Sequence, residues 1–244
     1  MKQSIFTIIE NKALTRDVFK MVLEGDTSAI TASGQFVNIQ LSGKFLRRPI
    51  SVCDWNETTL TIVYKVVGHG TEQMSAMLPG EKLDILTGLG NGYDLSLAGE
   101  NPVLIGGGVG VPPMYGCAKR LVELGIKPTV ILGFNVKDEI FYEEEFKALG
   151  CDVTVTTVDG SYGVKGFVTN ALPVNYSYFY TCGPEPMLKA VYKATATSGQ
   201  MSFEERMGCG FGACMGCSCK TITGYKRICK EGPVMKKEEI LWES

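Results

Sequence analysis

The sequence predicts a multidomain protein with an antiparallel β-barrel, an α/β domain built on a parallel sheet, and a small cysteine-rich domain. Residues 1–98 contain short apolar strands separated by turn residues. Residues 99–200 alternate strands with amphipathic helices, and residues 201–244 hold five of the nine cysteines. Many short strands at close spacing are typical of small barrels, whereas strands joined by crossover helices build parallel sheets.

Length and composition are those of an ordinary globular protein. The 244 residues are 45% apolar and 20% charged, with a net charge of −2. A nucleic-acid partner is not expected, because nucleic-acid binders usually carry a basic excess. The apolar runs are strand-sized rather than membrane-spanning, and no signal-peptide core follows Met1. We therefore expect a soluble cytoplasmic protein with no membrane contact.

The barrel prediction is based on segments rich in Val, Ile, Phe and Leu. Alternation is only partial at the start of the chain, and a further strand is expected after Arg47. The clearest strands are predicted at residues 18–24, 35–41, 59–67 and 82–86. Plausible turns between them are Gly25-Asp26, Asn56-Glu57 and Pro79-Gly80-Glu81.

The α/β domain begins with a buried strand at residues 102–105. An amphipathic helix follows, with Pro112 and Pro113 in its first turn and an apolar stripe at Met114, Cys117, Ala118, Leu121 and Val122. Further strands are predicted at 129–133, 153–158 and 176–181, and further helices at 142–149 and 185–197.

A glycine-rich loop joins the first strand and helix of this domain, as a phosphate-binding turn requires. Its sequence is Gly106-Gly107-Gly108-Val109-Gly110. It lacks the usual G-x-G-x-x-G register, and glycines here also suit tight strand–helix packing. A second turn at the same sheet edge, Cys182-Gly183-Pro184, favours the nucleotide interpretation.

Two anion-binding candidates lie in the barrel region. Arg47-Arg48 precedes a strand, either as a solvated turn or with an arginine that binds a pyrophosphate. The second candidate is the turn Gly68-His69-Gly70-Thr71, in which Thr71 would cap a helix over residues 72–78. His69, the only histidine, is interpreted as incidental.

The cysteine cluster carries the most specific motif. Its order is Cys209-x4-Cys214-x2-Cys217-x11-Cys229, and plant-type [2Fe–2S] proteins use C-x4-C-x2-C followed by a distant fourth cysteine. Structural zinc prefers paired C-x2-C knuckles, of which this region has one. We favour a [2Fe–2S] cluster and leave the surplus Cys219 unassigned. Glycines 210, 212 and 216 would let backbone N–H groups turn toward the cluster.

The order of these parts resembles the ferredoxin reductase family with a fused [2Fe–2S] unit, and more closely the family of electron-transfer subunits of class 1B dihydroorotate dehydrogenase. The matching motifs cover nearly the whole chain: Arg48-Pro49-Ile50-Ser51, Val63-Tyr64-Lys65, Gly70-Thr71, Gly90-Asn91-Gly92, Gly106 to Gly110, Cys182-Gly183-Pro184 and Cys209-Gly-x-Gly-x-Cys214-x-x-Cys217. Two positions depart from the ferredoxin reductase pattern. Ile50 replaces an aromatic residue, and Thr87-Gly88-Leu89-Gly90 replaces the usual G-P-L-G.

The resemblance implies a role for each motif. The FAD site would comprise Arg48, Pro49, Ile50, Ser51, Val63, Tyr64, Lys65, Gly70 and Thr71. The NAD site would comprise Gly106, Gly107, Gly108, Gly110, Cys182 and Gly183, with Cys182 near the nicotinamide. The cluster ligands would be Cys209, Cys214, Cys217 and Cys229. NAD is favoured over NADP because residues 133–138 contain no arginine.

The implied function is electron transfer in pyrimidine biosynthesis. Dihydroorotate would be oxidised in an FMN-containing catalytic subunit, within a heterotetramer, and electrons would reach NAD⁺ through [2Fe–2S] and FAD. This chain would then be an oxidoreductase subunit that needs no catalytic acid–base residue of its own. Two alternatives stay open: the small subunit of an NAD(P)H-dependent ferredoxin oxidoreductase or sulfide dehydrogenase, and a non-enzymatic zinc-stabilised binding module.

Overall fold

The computed structural model describes residues 1–242, so the last two residues of the predicted 201–244 unit lie outside the described residues. A closed six-stranded barrel comes first. Its strands are β1 (Lys2–Ala13), β2 (Val18–Glu24), β3 (Phe36–Gln40), β4 (Arg48–Trp55), β5 (Thr59–Lys65) and β6 (Lys82–Leu89). They close in the order β1-β2-β5-β4-β3-β6, and every neighbouring pair is antiparallel.

The predicted barrel is confirmed, and the structure explains why its first strand was poorly delimited. The pairing of β1 with β2 shifts register between Ile8 and Glu10. A bulge of this kind breaks the alternation of inward and outward residues on which strand prediction depends. The interior is filled by buried aliphatic side chains such as Ile39, Leu60 and Ile62.

The second part of the chain contains a seven-stranded sheet. Its parallel strands are β7 (Val103–Gly107), β8 (Thr129–Phe134), β9 (Asp152–Thr157), β10 (Val164–Lys165), β11 (Phe179–Cys182) and β12 (Gly199–Ser202). The accompanying helices are α1 (His69–Ser75) in the barrel region and α2 (Val111–Glu123), α3 (Glu143–Ala148) and α4 (Glu185–Ala194) around the sheet. The predicted α/β architecture is therefore confirmed, although β10 and β12 were not anticipated.

The cysteine-rich segment is joined to both other parts. It forms a hairpin of β13 (Ser218–Thr221) and β14 (Gly224–Arg227), followed by β15 (Val234–Lys236). β15 pairs antiparallel with β12 and completes the sheet order β10-β9-β8-β7-β11-β12-β15. The boundary predicted at residue 200 falls within β12, and the division into residues 1–98, 99–200 and 201–244 stays a prediction.

The same segment also covers the outer face of the barrel. Phe36 from β3 and Leu86 and Leu89 from β6 are buried together with Cys217, Ile228, Cys229 and Met235. This contact supplies the apolar core that so short a segment cannot form alone. Among residues 1–242, no helix is long and apolar enough to cross a membrane.

Candidate functional site

A cleft of about 370 Å³ brings the predicted flavin and nucleotide residues together. Eleven of the fifteen predicted cofactor residues line it: Arg48, Pro49, Ile50, Ser51, Val63, Tyr64, Lys65, Thr71, Gly110, Cys182 and Gly183. The barrel residues meet there because β4 and β5 are antiparallel neighbours, so the first residues of β4 and the last residues of β5 lie at one rim.

The two adjacent arginines have different environments. The Arg47 guanidinium donates to Asp84 Oδ1 at 2.9 Å and to the carbonyl oxygens of Asn38 and Asp84. Arg48 lines the cleft, and among residues 1–242 no carboxylate lies within ion-pair distance of it. Gly70 makes room for Arg48, since a Cβ at Gly70 would lie 2.2 Å from Arg48 Nε. An arginine held beside the cleft without an acidic partner is suited to bind a phosphate.

The turn around Thr71 differs from the prediction. Helix α1 begins at His69 rather than at residue 72, so Gly68 is the N-cap and Thr71 lies within the first turn. The Thr71 hydroxyl donates to Gly68 O at 3.1 Å and accepts from Val67 N at 2.9 Å. Thr71 therefore closes the turn from inside the helix, because the helix starts earlier than its sequence pattern indicated. The His69 side chain is 91% exposed.

The glycines of the glycine-rich loop differ in how closely protein atoms pack around them. A Cβ at Gly106 would lie 2.9 Å from Val111 Cα, and one at Gly107 would lie 2.4 Å from Met187 Sδ. Gly106 and Gly107 are buried, whereas Gly108 has φ +52° and open space around it. Close packing accounts for the first two glycines, and Gly110 is the member of this predicted set that lines the cleft.

Cys182 ends β11 at the floor of the cleft. A Cβ at Gly110 would meet Cys182 O at 2.2 Å, so the glycine loop and the Cys182 turn touch along their backbones. Burial raises the pKa of the Cys182 thiol to about 12, and the nearby Glu204 carboxylate adds to this effect. Cys182 is therefore a neutral thiol near pH 7, not a thiolate nucleophile.

The segment that follows β12 lines the cleft but carries no motif that predicts it. Residues lining the cleft without having been predicted include Phe36, Val67, Val109, Ser202, Phe203, Glu204, Glu205, Met207 and Pro233. Burial raises the pKa of the Glu204 carboxyl group. The carboxyl end of β12 lies beside that of β11, and this edge of a parallel sheet is where ligands bind. Recognition of β12 as a strand would have pointed to those of these residues that lie between 202 and 207.

The four predicted ligand cysteines form two close pairs. Cys209 Sγ accepts N–H bonds from Ala213 at 3.2 Å and Cys214 at 3.5 Å, and the Cys214 side chain also bonds to it. Cys217 Sγ accepts the N–H of Cys229 at 3.4 Å, and these two thiols are hydrogen-bonded to each other. Burial acts against ionisation of Cys209, but the surrounding N–H groups lower its pKa to about 6.

This two-and-two arrangement is suited to a two-iron cluster. Each iron of a [2Fe–2S] cluster takes two protein ligands, whereas structural zinc requires four around one ion. Among residues 1–242, no three His, Cys, Asp or Glu side chains are gathered around one ion position. All nine cysteines are free thiols, so no disulfide competes for these ligands. The donor set therefore fits the cluster better than it fits zinc.

The backbone of the cysteine loop adopts left-handed conformations at three points. Gly210 has φ +80°, Gly212 has φ +91° and Met215 has φ +60°. Gly210 and Gly212 take this conformation without strain because they are glycines, whereas at the third point Met215 rather than Gly216 adopts it. Cys219 lies in β13, where it packs against the group that includes Cys217 and Cys229 and lines a separate groove with Trp242.

Family models match two parts of the chain. The model described as the oxidoreductase NAD-binding domain matches residues 104–193. The model described as the iron–sulfur cluster binding domain of dihydroorotate dehydrogenase B matches residues 204–241. A solved structure of an NADH-dependent reduced ferredoxin–NADP oxidoreductase is 31% identical, with a TM-score of 0.88, over 97% of this chain and 90% of that one. The fold and site thus define a flavin- and NAD-dependent oxidoreductase of the ferredoxin reductase type that carries an iron–sulfur domain.

Curated relatives make the assignment more specific. Proteins named "Dihydroorotate dehydrogenase B (NAD(+)), electron transfer subunit" are 41% identical in Geobacillus sp. (strain WCH70), over 99% of both chains, and 42% identical in Bacillus pumilus, over 98% of both. The Fusobacterium nucleatum protein is 43% identical over 98% of this chain and 99% of its own. The chain belongs to the family of dihydroorotate dehydrogenase B electron-transfer subunits, as the motif resemblance predicted.

Proposed function

We propose that this chain carries electrons from dihydroorotate oxidation in a partner catalytic subunit, through a [2Fe–2S] cluster and FAD, to NAD⁺. The observation that carries the proposal is the cleft in which the Arg48–Ser51 motif, the Cys182-Gly183 turn and the segment leading to the cysteines meet. A bound flavin exchanges both hydride and single electrons, which is the conversion required between a nicotinamide and an iron–sulfur centre.

The barrel residues bind and orient the flavin. Arg48 is placed to bind the pyrophosphate, because it lines the cleft and forms no ion pair with a carboxylate in the described chain. Ser51 lines the same cleft and would offer its hydroxyl to the flavin, and Gly70 leaves the space that the Arg48 side chain occupies. Val63, Tyr64 and Lys65 form the adjoining wall, and Thr71 holds the turn beside it.

The opposite side of the cleft admits the nicotinamide. Gly110, Cys182 and Gly183 lie there. A Cβ at Gly110 would meet Cys182 O and one at Gly183 would meet Met187, so both glycines keep the backbone of this wall closely packed. Cys182 is neutral near pH 7 and supplies a small, uncharged surface. Gly106, Gly107 and Gly108 act through the shape of the loop that leads to α2. In this proposal the chain supplies no acid–base residue of its own, because the bound cofactors would supply the redox chemistry.

The cysteine loop holds the cluster and faces the partner. Cys209 and Cys214 would bind one iron, and Cys217 and Cys229 would bind the other. Cys214 is exposed, and Phe211 and Met215 beside it are 44% and 55% exposed. Apolar side chains around an exposed ligand favour docking of the FMN-containing catalytic subunit on this face, within a heterotetramer. Cytoplasmic pyrimidine biosynthesis is the setting that we propose for the complex.

An activity assay on the co-purified complex tests the function. The chain is expressed in its native host and purified without oxygen together with its bound partner, and dihydroorotate and NAD⁺ are added. The proposal requires NADH formation that depends on dihydroorotate. A preparation that oxidises NADH with an artificial acceptor but forms no NADH from dihydroorotate would assign the chain to another electron-transfer complex.

The second candidate is the small subunit of an NADH-dependent ferredoxin–NADP oxidoreductase. The TM-score of 0.88 to the solved structure of such a protein favours it, but identity is 31%, against 41–43% for the three dihydroorotate dehydrogenase subunits. The same preparation separates the two functions, because this candidate requires ferredoxin- and NADPH-dependent activity. The match to the iron–sulfur binding family over residues 204–241 argues against a zinc-stabilised binding module.

A further inference from the structure

Asn38 is a buried polar residue in an otherwise apolar strand. It is 1% exposed, and its neighbours Val37 and Ile39 are fully buried in the barrel interior. Because successive side chains of a strand point to opposite faces, Asn38 and Phe36 face outward, toward the cysteine-rich segment. Phe36 packs there against the group that includes Cys217 and Cys229.

The Asn38 side chain contacts the cysteine loop directly. Its Nδ2 donates to Cys209 O at 3.3 Å. The next residue, Gly210, has φ +80°, and a Cβ there would lie 2.4 Å from Asn38 Nδ2. The loop therefore approaches Asn38 so closely that only glycine fits. Because Cys209 O is an acceptor, this contact also fixes which end of the Asn38 amide faces the loop.

The other end of the amide has no partner. Asn38 Oδ1 is buried, and no donor within residues 1–242 reaches it. The comparable Asn91 uses both ends of its amide, since Nδ2 donates to Glu231 O and Val234 O and Oδ1 accepts from Val234 N. A buried acceptor without a donor is unfavourable, so an apolar side chain would suit a purely structural role at position 38 better.

The backbone of Asn38 pairs with the strand that carries the predicted flavin-binding motif. In the β3–β4 pairing, Asn38 lies opposite Pro49, and its carbonyl oxygen accepts from Arg47. One residue thus joins the strand pair that carries the Arg48–Ser51 motif to the first cysteine of the cluster loop.

We propose that Asn38 is a positioning residue that holds Cys209 and thereby sets the reduction potential of the cluster. This inference rests on the proposed function, because it requires the four cysteines to hold a [2Fe–2S] cluster. Cys209 Sγ accepts N–H bonds from Ala213 and Cys214, whose geometry depends on where the Cys209 backbone is fixed. Hydrogen bonds to cluster sulfurs stabilise the more negative, reduced state and raise the potential.

The test replaces Asn38 by an apolar residue of similar shape. Asn38→Leu removes the donor to Cys209 O and leaves the strand otherwise intact. The matched control is Val37→Ala, which alters the same strand on the face turned into the barrel. Both are purified anaerobically with the partner subunit, and the cluster is titrated with redox mediators and followed by the electron paramagnetic resonance of its reduced form.

Loss of the anchor weakens the N–H bonds to sulfur, so the potential falls. For Asn38→Leu we expect the one-electron reduction equilibrium constant to fall about tenfold, equivalent to about 59 mV. We also expect a changed resonance line shape and unchanged FAD content. Val37→Ala should keep the wild-type potential even if it lowers the unfolding temperature.

A wild-type potential and line shape in Asn38→Leu would overturn the proposal. If Asn38→Leu yields no loaded protein, Asn38→Ser replaces it, because a serine hydroxyl is too short to reach Cys209 O. The same fall in potential is expected for Asn38→Ser, and an unchanged potential would again overturn the proposal. Failure of the proposed function gives a different result, in which the wild-type protein itself shows no [2Fe–2S] spectrum.

Discussion

Arg47 and Asp84 form an ion pair between β4's entry turn and β6, with Arg47 Nη1 2.9 Å from Asp84 Oδ1. Gln3 Nε2 on β1 donates to the other carboxylate oxygen of Asp84 at 2.7 Å. The ion pair holds the Arg47 side chain within the barrel wall. The adjacent Arg48 lies at the cleft instead, so the two arginines have separate roles.

Replacement of each arginine in turn tests this division. Arg48→Ala should weaken FAD binding by about 10- to 100-fold, since a hydrogen bond to a charged group contributes roughly 1.5–3 kcal/mol. Arg47→Ala should lower the unfolding temperature but retain FAD. The measurement is the FAD-to-protein ratio after gel filtration, together with a flavin-binding titration. Equal flavin loss in the two variants would contradict a separate role for Arg48.

The Arg47–Asp84 pair also predicts a pH dependence of stability. Burial acts to raise the pKa of Asp84, but the hydrogen bonds from Arg47 and Gln3 outweigh it and lower the pKa below its usual value. A lowered pKa contributes stability above the unfolded-state value of about 3.9, and this contribution is lost as the pH falls through the folded-state pKa.

Asp84→Asn should therefore destabilise the barrel near pH 7, by about 1 kcal/mol because the carboxylate is partly exposed to solvent. The difference from wild type should shrink below about pH 4, where Asp84 of the unfolded wild-type chain takes up a proton, and it should disappear as the pH falls through the lowered folded-state pKa. Unfolding of both proteins in urea at pH 7 and pH 3 measures this. A difference of equal size at both pH values would show that the ion pair is not its source.

Local patterns in the sequence predicted the three-part architecture and most of the cleft. The Arg48–Ser51 motif and the Cys182-Gly183 turn could be selected from the sequence because each lies at a strand end with distinctive residues, and both line the cleft. β15 was not predictable, because a three-residue strand has no periodicity and is stabilised by its pairing with β12. Its position determines how the cysteine-rich segment lies against the sheet.

The contribution of Asn38 could not be predicted from the sequence either. In the sequence it is one polar residue within an apolar strand, 171 positions away from the cysteine whose carbonyl it contacts. Thr71 shows the same limitation on a smaller scale. Its hydroxyl predicted a helix cap, but the tertiary structure starts the helix three residues earlier and uses that hydroxyl inside the first turn.

The cysteine assignments are tested by a matched pair of variants. Cys214→Ser should abolish the visible spectrum of the [2Fe–2S] cluster while FAD remains bound, because one iron loses a thiolate. Cys219→Ser should keep the spectrum, since Cys219 lies in β13 and lines a different groove. Iron and sulfide content with visible absorbance provides the measurement. A normal cluster in Cys214→Ser, or its loss in Cys219→Ser, would reverse the assignment.

The choice between NAD⁺ and NADP⁺ is predicted to depend on Glu139. Glu139 follows β8 at the carboxyl edge of the sheet, and its carboxylate accepts from Asn135 N at 3.1 Å and Asn135 Nδ2 at 2.9 Å. A carboxylate at this edge bonds a ribose 2′-hydroxyl and repels a 2′-phosphate.

Glu139→Gln should therefore weaken the selection for NAD⁺ by about tenfold, the size expected for one hydrogen bond to a charged group of roughly 1.5 kcal/mol. The matched control is Glu144→Gln on α3, where the exposed carboxylate pairs with Lys147. The measurement is kcat/KM for NAD⁺ and NADP⁺ reduction by the assembled complex, with direct binding of both nucleotides to separate affinity from rate. An unchanged ratio in Glu139→Gln would assign the selection to other residues of the cleft.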